Sequence, residues 1–222
     1  MSRPDLNGTE HSSPRGIEPD EGMIATDAVP AEIEDIDRAR AQEYALLSTL
    51  LLRSPDALLI ERLRRLEGDL TPLGRAHAAL GRAAAETTAE GAEREYFALF
   101  VGLGDHGLYP YSSYYLTGFL QGRPLARLRD TLRPLGIERA RDYSEPEDHV
   151  AFLLAVMASL VGGWIVAPPG AEREFFNGHL APWIGRFFED LERARSVPLY
   201  ASIGALGRTF MAIEEEAFTL PG

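Results

Sequence analysis

After residue 30, apolar residues recur every three or four positions along most of the chain, which is the spacing of one face of an α-helix. In one such segment Tyr44, Leu47, Leu50 and Leu51 fall on a single face. No segment of the sequence shows the two-residue alternation of a half-buried strand. The pattern therefore predicts an all-α, single-domain helical bundle of about eight or nine helices. The longer predicted helices are 32–53, 55–67, 71–89, 92–101, 123–134, 144–164, 171–191 and 198–217.

Residues 102–118 interrupt this pattern, because they combine four glycines, one proline and four tyrosines. Such a composition is typical of an ordered aromatic loop that leads into a short helix. Further along, Pro182 lies inside the 171–191 segment. Because proline has no N–H to donate, we expect it to kink or split that helix.

The clearest predicted helix start lies at residues 144–149. Ser144 and Glu147 have the spacing of a capping box, and Pro146 lies in the predicted first turn. The acids of this stretch would complement the positive end of the helix dipole. An apolar stripe then continues as far as Trp164.

Residues 1–30 are rich in Pro, Gly, Ser and acidic residues and contain few large apolar side chains. They cannot bury enough surface to offset the entropy of ordering, so we expect a disordered acidic tail at 1–30 and one helical domain at 31–222. Residues 1–37 hold ten acids and two arginines, so most of the net charge of −12 lies at this end.

The composition excludes several classes of function. The excess of acid argues against a nucleic-acid-binding protein, since that affinity comes mostly from Lys and Arg. The chain has no cysteine, which excludes a disulfide scaffold, a thiolate metal site and a cysteine nucleophile. It has no lysine, which excludes a P-loop. The sequence lacks a signal-peptide core and a membrane-spanning apolar run, so we expect a cytoplasmic protein.

Two Asp-His pairs, Asp105-His106 and Asp148-His149, are candidates for a metal-dependent hydrolase site. The competing interpretation is that Asp148 caps a helix and that His149 is a half-buried, hydrogen-bonded side chain. The sequence contains no HExxH motif, which favours that interpretation. A helical interaction module of unknown partner is a third alternative.

The aromatic residues between positions 97 and 115 suggest a recognition surface. No helical stripe includes Tyr111, Tyr114 and Phe100, so the sequence does not require these side chains to be buried in the core. Packing of the loop on the core explains each ring taken singly, but together with Phe97 the cluster is dense enough to suggest a groove for an apolar peptide.

Three motifs then occur in a fixed order. Residues 95–100 read EYFALF, residues 110–115 read PYSSYY, and residues 145–149 read EPEDH. They resemble the E-x-x-x-L-F, P-Y-x-S-x-Y and E-P-x-D-H motifs of the TorD/DmsD-type redox enzyme maturation chaperones. On that resemblance the chain is identified as a member of this family over about residues 93–165.

The resemblance implies a cytoplasmic chaperone with no catalytic residues, bound metal or cofactor. It would bind the twin-arginine signal peptide and the apo form of a molybdenum-cofactor oxidoreductase, assist cofactor insertion and hold back export until folding is complete. It would not insert stably into a membrane, and it leaves homodimer formation and weak nucleotide binding open. The client-binding residues would be Glu145, Pro146, Glu147, Asp148, His149, Tyr111, Tyr114, Phe100, Glu95 and Leu99.

Overall fold

A computed structural model describes residues 35–101, 107–139, 144–194 and 197–220. Within these ranges it contains ten α-helices and no named strand, which confirms the predicted all-α class. The helices are α1 (Asp35–Leu52), α2 (Ala57–Leu63), α3 (Pro72–Ala85), α4 (Ala89–Tyr96), α5 (Ser112–Thr117), α6 (Gly122–Leu132), α7 (Val150–Val161), α8 (Ala171–Phe175), α9 (Ile184–Arg193) and α10 (Pro198–Thr219). None of them combines the length and apolar character needed to cross a bilayer. The predicted tail at 1–30 lies outside the described residues.

The core is built where α1 packs along α7 and where α10 packs along α9 and α3. The predicted face of α1, with Tyr44, Leu47 and Leu50, is fully buried. Each such large side chain contributes about 1.5–3 kcal/mol on burial. On the other side of the core, α10 buries Leu199, Tyr200, Ile203, Leu206 and Phe210.

The contact between α9 and α10 is close because α10 carries glycine where the two helices meet. A Cβ atom at Gly204 would lie 2.3 Å from the backbone nitrogen of Glu192. One at Gly207 would lie 2.1 Å from the ring of Phe188. Any larger residue at either position would push the helices apart.

The segment around Pro182 is divided, as its sequence predicts. After α8 the chain forms a π-helical turn at Phe176–Leu180, and α9 begins at Ile184. Because proline cannot donate the next helical hydrogen bond, the two helices remain separate. Within the described residues this division gives ten helices, compared with the predicted eight or nine.

Helix α7 is shorter than predicted. It begins at Val150, not at residue 144, and ends at Val161. Gly163 has a φ of +67°, a left-handed conformation that ends the helix. Trp164 therefore lies beyond the helix and is 69% exposed, so the prediction that it continues the buried stripe is wrong.

A buried charged cluster joins α1 to α10. Arg40 donates from Nε and Nη2 to the two carboxylate oxygens of Glu214, each at 2.8 Å. The hydroxyl of Tyr44 donates to the same carboxylate at 2.9 Å. Burial alone would lower the pKa of Arg40, but the Glu214 carboxylate raises it. Glu214 is 1% exposed and is fully paired by this arrangement.

Candidate functional site

Backbone hydrogen bonds bring the second and third motifs together. The N–H of Ser112 donates to the carbonyl of Asp148 at 3.0 Å, and the N–H of Val150 donates to the carbonyl of Pro110 at 2.7 Å. Tyr111 and His149 consequently face each other in an isolated antiparallel bridge. Two short segments far apart in sequence thus form one structural unit, which we call the bridge site.

Asp148 lies at the centre of the bridge site and is fully buried. Its Oδ2 accepts a hydrogen bond from the backbone N–H of Ser113 at 3.1 Å. Its Oδ1 has no hydrogen-bond partner within the described part of the chain. A buried acceptor without a partner costs about 1–3 kcal/mol, so this oxygen would gain from a donor brought by a ligand.

The prediction that residues 144–149 cap α7 from its first turn is wrong. The helix begins at Val150, and the side chain of His149 is the N-cap, while Glu145, Glu147 and Asp148 lie in the preceding turn. Glu145 precedes a proline and is therefore biased away from helical backbone geometry. The antiparallel bridge also fixes Asp148 and His149 in non-helical positions.

His149 is neutral in the folded protein. Its Nδ1 accepts a hydrogen bond from the N–H of Ala151 at 3.2 Å, and its ring packs edge-on against Tyr111 at a centroid distance of 5.3 Å. Burial lowers the pKa of His149 to about 4, although the charges of Glu145 and Asp148 oppose that shift.

Glu145 joins the same unit through its side chain. Its Oε2 accepts a hydrogen bond from the hydroxyl of Tyr111 at 2.5 Å. Burial and this carboxylate together raise the pKa of Tyr111, so its phenol remains protonated. Pro146 provides the turn, because its carbonyl accepts the N–H of His149 at 3.1 Å.

Glu147 is engaged by an arginine from α6. Nε and Nη2 of Arg129 donate to its two oxygens at 3.1 and 2.8 Å. Burial raises the pKa of Glu147, but the Arg129 hydrogen bond outweighs burial and holds the pKa below its usual value. Both oxygens of Glu147 are therefore already engaged by Arg129, whereas Asp148 keeps one oxygen without a partner in the described chain.

The first motif supplies aromatic side chains from a π-helical turn, Phe97–Val101, that follows α4. Single-turn π segments within helices are frequent at functional sites. Phe100 is half-buried against Tyr96 and Tyr200, at centroid distances of 5.1 and 5.7 Å. Tyr96 lies near enough to Glu145 for that carboxylate to raise its pKa, in addition to the effect of burial. The first motif thereby adjoins the bridge site.

Exposed apolar side chains continue from this region along α5. The rings of Tyr109 and Tyr114 pack at a centroid distance of 4.6 Å, and both are partly exposed to solvent, by 49% and 37%. Other large apolar side chains nearby in sequence are also exposed: Phe97, Val101, Leu116, Phe119 and Leu120. Exposed apolar side chains in such density are typical of protein-interaction surfaces.

Leu99 and Glu95 have structural positions behind this surface. Leu99 is 4% exposed and belongs to the core. Glu95 Oε2 accepts the backbone N–H groups of Leu199 and Tyr200, at 3.0 and 3.2 Å. Burial raises the pKa of Glu95, while these two donors oppose that shift. The Glu95 carboxylate thus caps the first turn of α10.

The described residues offer no support for a metal site. No group of three or more His, Asp or Glu side chains able to hold a metal ion occurs among them. His149 uses its Nδ1 to cap α7. Asp105 and His106 lie outside the described residues.

Some contributors to the site are not evident from the motifs. Tyr96 has a sequence signal, since it lies four residues before Phe100 and shares a helical face with it. Arg129 and Tyr200 have none, because they reach the site from α6 and α10 through the tertiary fold.

Comparison with known proteins shows which family shares these features. The family model for the nitrate reductase delta subunit matches residues 66–189. "Chaperone protein TorD" of Vibrio cholerae is 28% identical over 111 residues, covering 46% of this chain and 50% of that protein. "Chaperone protein TorD" of Aliivibrio fischeri is 27% identical over 125 residues, covering 52% and 58%. The chain thus spans about half the length of the curated relatives it matches.

A solved structure shows the same fold. It is that of a redox enzyme maturation protein from Archaeoglobus fulgidus, with a TM-score of 0.51 at 19% sequence identity. The match covers 77% of this chain and 93% of that one. The curated relatives are named as chaperones, in agreement with the prediction that the protein is not an enzyme.

Proposed function

Because the chain belongs to the nitrate reductase delta subunit family, to which the TorD-type chaperones are related, we propose that it is a chaperone for a molybdenum-cofactor oxidoreductase. It binds the twin-arginine signal peptide and the apo form of that enzyme in the cytoplasm. It assists cofactor insertion and holds back export until the enzyme has folded.

The observation that carries this proposal is the bridge site, where a buried carboxylate oxygen without a partner in the described chain lies beside half-buried tyrosine rings. A twin-arginine leader brings guanidinium groups followed by a moderately apolar stretch. Asp148 Oδ1 is an acceptor for a guanidinium donor, and Glu145 adds negative charge next to it. Charge-assisted hydrogen bonds of this kind contribute about 1.5–3 kcal/mol.

The apolar part of the leader would pack on Tyr111, Tyr114 and Phe100. Each buried apolar side chain gains about 1.5–3 kcal/mol, but ordering the peptide offsets much of that gain. We therefore expect a dissociation constant in the micromolar range, which allows the client to be released.

Co-purification tests the proposal. The full chain, tagged and expressed in its own host, should retain the catalytic subunit of a molybdenum-cofactor oxidoreductase with its leader still attached, as identified by mass spectrometry. A variant combining Asp148→Asn with Tyr114→Ala should retain much less of it. Recovery of the mature subunit without its leader, or equal recovery by the variant, would argue against recognition of the leader at the bridge site.

A further inference from the structure

A second concave surface lies among α1, α3 and α10, away from the residues of the bridge site. Its volume is about 620 Å³, and its apolar walls include Ile36, Leu46, Leu73, Phe210 and Ile213. We call it the Glu43 groove, after the acid that lines it. It shares no residue with the bridge site as described above.

The groove is formed by apolar positions that the core does not use. The apolar stripe of α10 is buried as far as Phe210, but Ile213 is 42% exposed and Ala217 is also exposed. On the facing rim, Ile36 of α1 is 70% exposed. Ile213 and Ala217 thus lie on a side of α10 that the fold leaves exposed, although Met211 and Phe218 of the same helix are buried.

Glu43 gives the groove a specific chemical feature. It is 8% exposed, and its Oε2 lies 2.9 Å from Nε2 of His77. Its Oε1 has no hydrogen-bond partner among the residues that the structure describes. Glu214, the other acid of the groove, is already paired with Arg40 and Tyr44. Among the described acids of this groove, Glu43 is therefore the one with a carboxylate oxygen, Oε1, that can accept a further hydrogen bond.

We propose that the Glu43 groove binds an amphipathic helix of a partner protein that carries one arginine or lysine on its apolar face, with the cation donating to Glu43 Oε1. An apolar or acidic occupant would seal the groove and leave the buried oxygen unpaired. A cation is favoured over a neutral donor because hydrogen bonds between ionised partners are stronger than those with a neutral donor. The exposed rims of the groove favour a helix as the occupant over a small ligand. A helix is about 10 Å wide and can cover the rims at Ile36 and Ile213, whereas a small apolar ligand inside the cavity would leave them in water.

Labelled synthetic helices provide the probe. A panel of 14-residue peptides would present leucine or isoleucine at positions i, i+3, i+4 and i+7, with Arg, Lys, Gln or Glu at varied positions on that face. Fluorescence anisotropy with the full chain should show that the tightest Arg or Lys peptide binds at least about tenfold more tightly than its Gln counterpart. Failure of every peptide to bind, or equal binding of the Arg, Lys and Gln peptides, would overturn the proposal.

Variants then locate the binding. Glu43→Gln keeps the side-chain shape and an oxygen for His77, so the protein should fold and should lose the preference for the basic peptide. Ile213→Asp, at an exposed position, should weaken all peptides of the panel. Val166→Ser, at a fully exposed position outside both sites, should change nothing. A preference that survives Glu43→Gln, or binding that Ile213→Asp leaves intact, would overturn the assignment to this groove.

Sedimentation of the full chain tests a second copy as the occupant. The proposal predicts that wild type and Ile213→Asp have the same oligomeric state. A dimer that Ile213→Asp dissociates would show that another copy of the chain covers the groove, and would overturn the proposal.

Discussion

The backbone N–H of Ser113 donates to the side chain of Asp148 across 35 residues of sequence, at 3.1 Å. This contact holds α5 against the turn before α7 and leaves the second carboxylate oxygen without a partner in the described chain. The Oδ2 of Asp148 therefore supports the fold, and under the proposed function its Oδ1 accepts a donor from the client.

Substitutions at Asp148 should separate its structural role from its charge. Asp148→Asn keeps an oxygen for the Ser113 N–H and removes a buried charge, so the free energy of unfolding should be unchanged or slightly higher. Asp148→Ala leaves that N–H unsatisfied and should lower the free energy of unfolding by about 1–3 kcal/mol. Urea denaturation at pH 7 measures both. Equal losses in the two variants would show that the charge itself stabilises the fold.

Glu95 should matter for stability and not for leader binding. Its carboxylate accepts two backbone N–H groups at the start of α10, so Glu95→Ala should lower the free energy of unfolding by about 1–2 kcal/mol, as for other lost helix caps. Glu95→Gln keeps one acceptor oxygen, so its free energy of unfolding should fall by less than that of Glu95→Ala. Thermal unfolding combined with leader-peptide titration checks this. A loss of affinity in the folded Gln variant would instead place Glu95 in the binding surface.

Tyr114 and Tyr115 are adjacent in sequence but should respond differently to truncation. Tyr114 is 37% exposed, so Tyr114→Ala should weaken leader binding and change the melting temperature little. Tyr115 packs on Trp183 and Phe187, and its hydroxyl donates to Asp190. Tyr115→Ala should therefore lower the free energy of unfolding by about 3 kcal/mol. If Tyr114→Ala destabilised the protein as strongly as Tyr115→Ala, its ring would be part of the core.

The buried neutral His149 should make stability fall in mild acid. Its pKa is lowered to about 4 in the folded protein, against about 6.5 when unfolded, so the unfolded state binds the proton first as the pH falls. The contribution of His149 is fully present above pH 6.5 and is lost towards pH 4. Between pH 7 and pH 5 the loss amounts to about 2 kcal/mol.

The matched variant for this prediction is His149→Asn, because asparagine is a good N-cap and does not titrate. The free energy of unfolding of wild type, measured in urea at pH 7 and pH 5, should fall by more than that of His149→Asn. Parallel pH profiles for the two proteins would mean that other groups cause the acid sensitivity.

Much of the fold follows from local sequence patterns. The buried face of α1 with Tyr44 and Leu47 and the division at Pro182 both depend on neighbours in sequence, whereas α5 forms at Ser112–Thr117, inside the segment predicted as an aromatic loop. Helical periodicity and the missing proline N–H act over a few residues, so the sequence alone reveals them.

The start of α7 could not be predicted in the same way. Ser144 and Glu147 have capping-box spacing. However, the backbone of Asp148 and Val150 forms hydrogen bonds with residues 110–112, and the side chain of Glu147 accepts hydrogen bonds from Arg129. These contacts come from elements distant in sequence. Long-range backbone hydrogen bonds therefore override the local capping preference at this position. The same hydrogen bonds bring the residues of the proposed site together.

The most direct test of the proposed function is isothermal titration of the full chain with a synthetic twin-arginine leader peptide. Wild type should bind with a micromolar dissociation constant, and Asp148→Asn should weaken binding at least about tenfold without a lower melting temperature. Asp35→Asn, which removes a charge from a side chain that is 95% exposed on α1, serves as the control and should bind as wild type does. Unchanged affinity in Asp148→Asn would contradict the role given to its free oxygen, and no binding by wild type would contradict leader recognition itself.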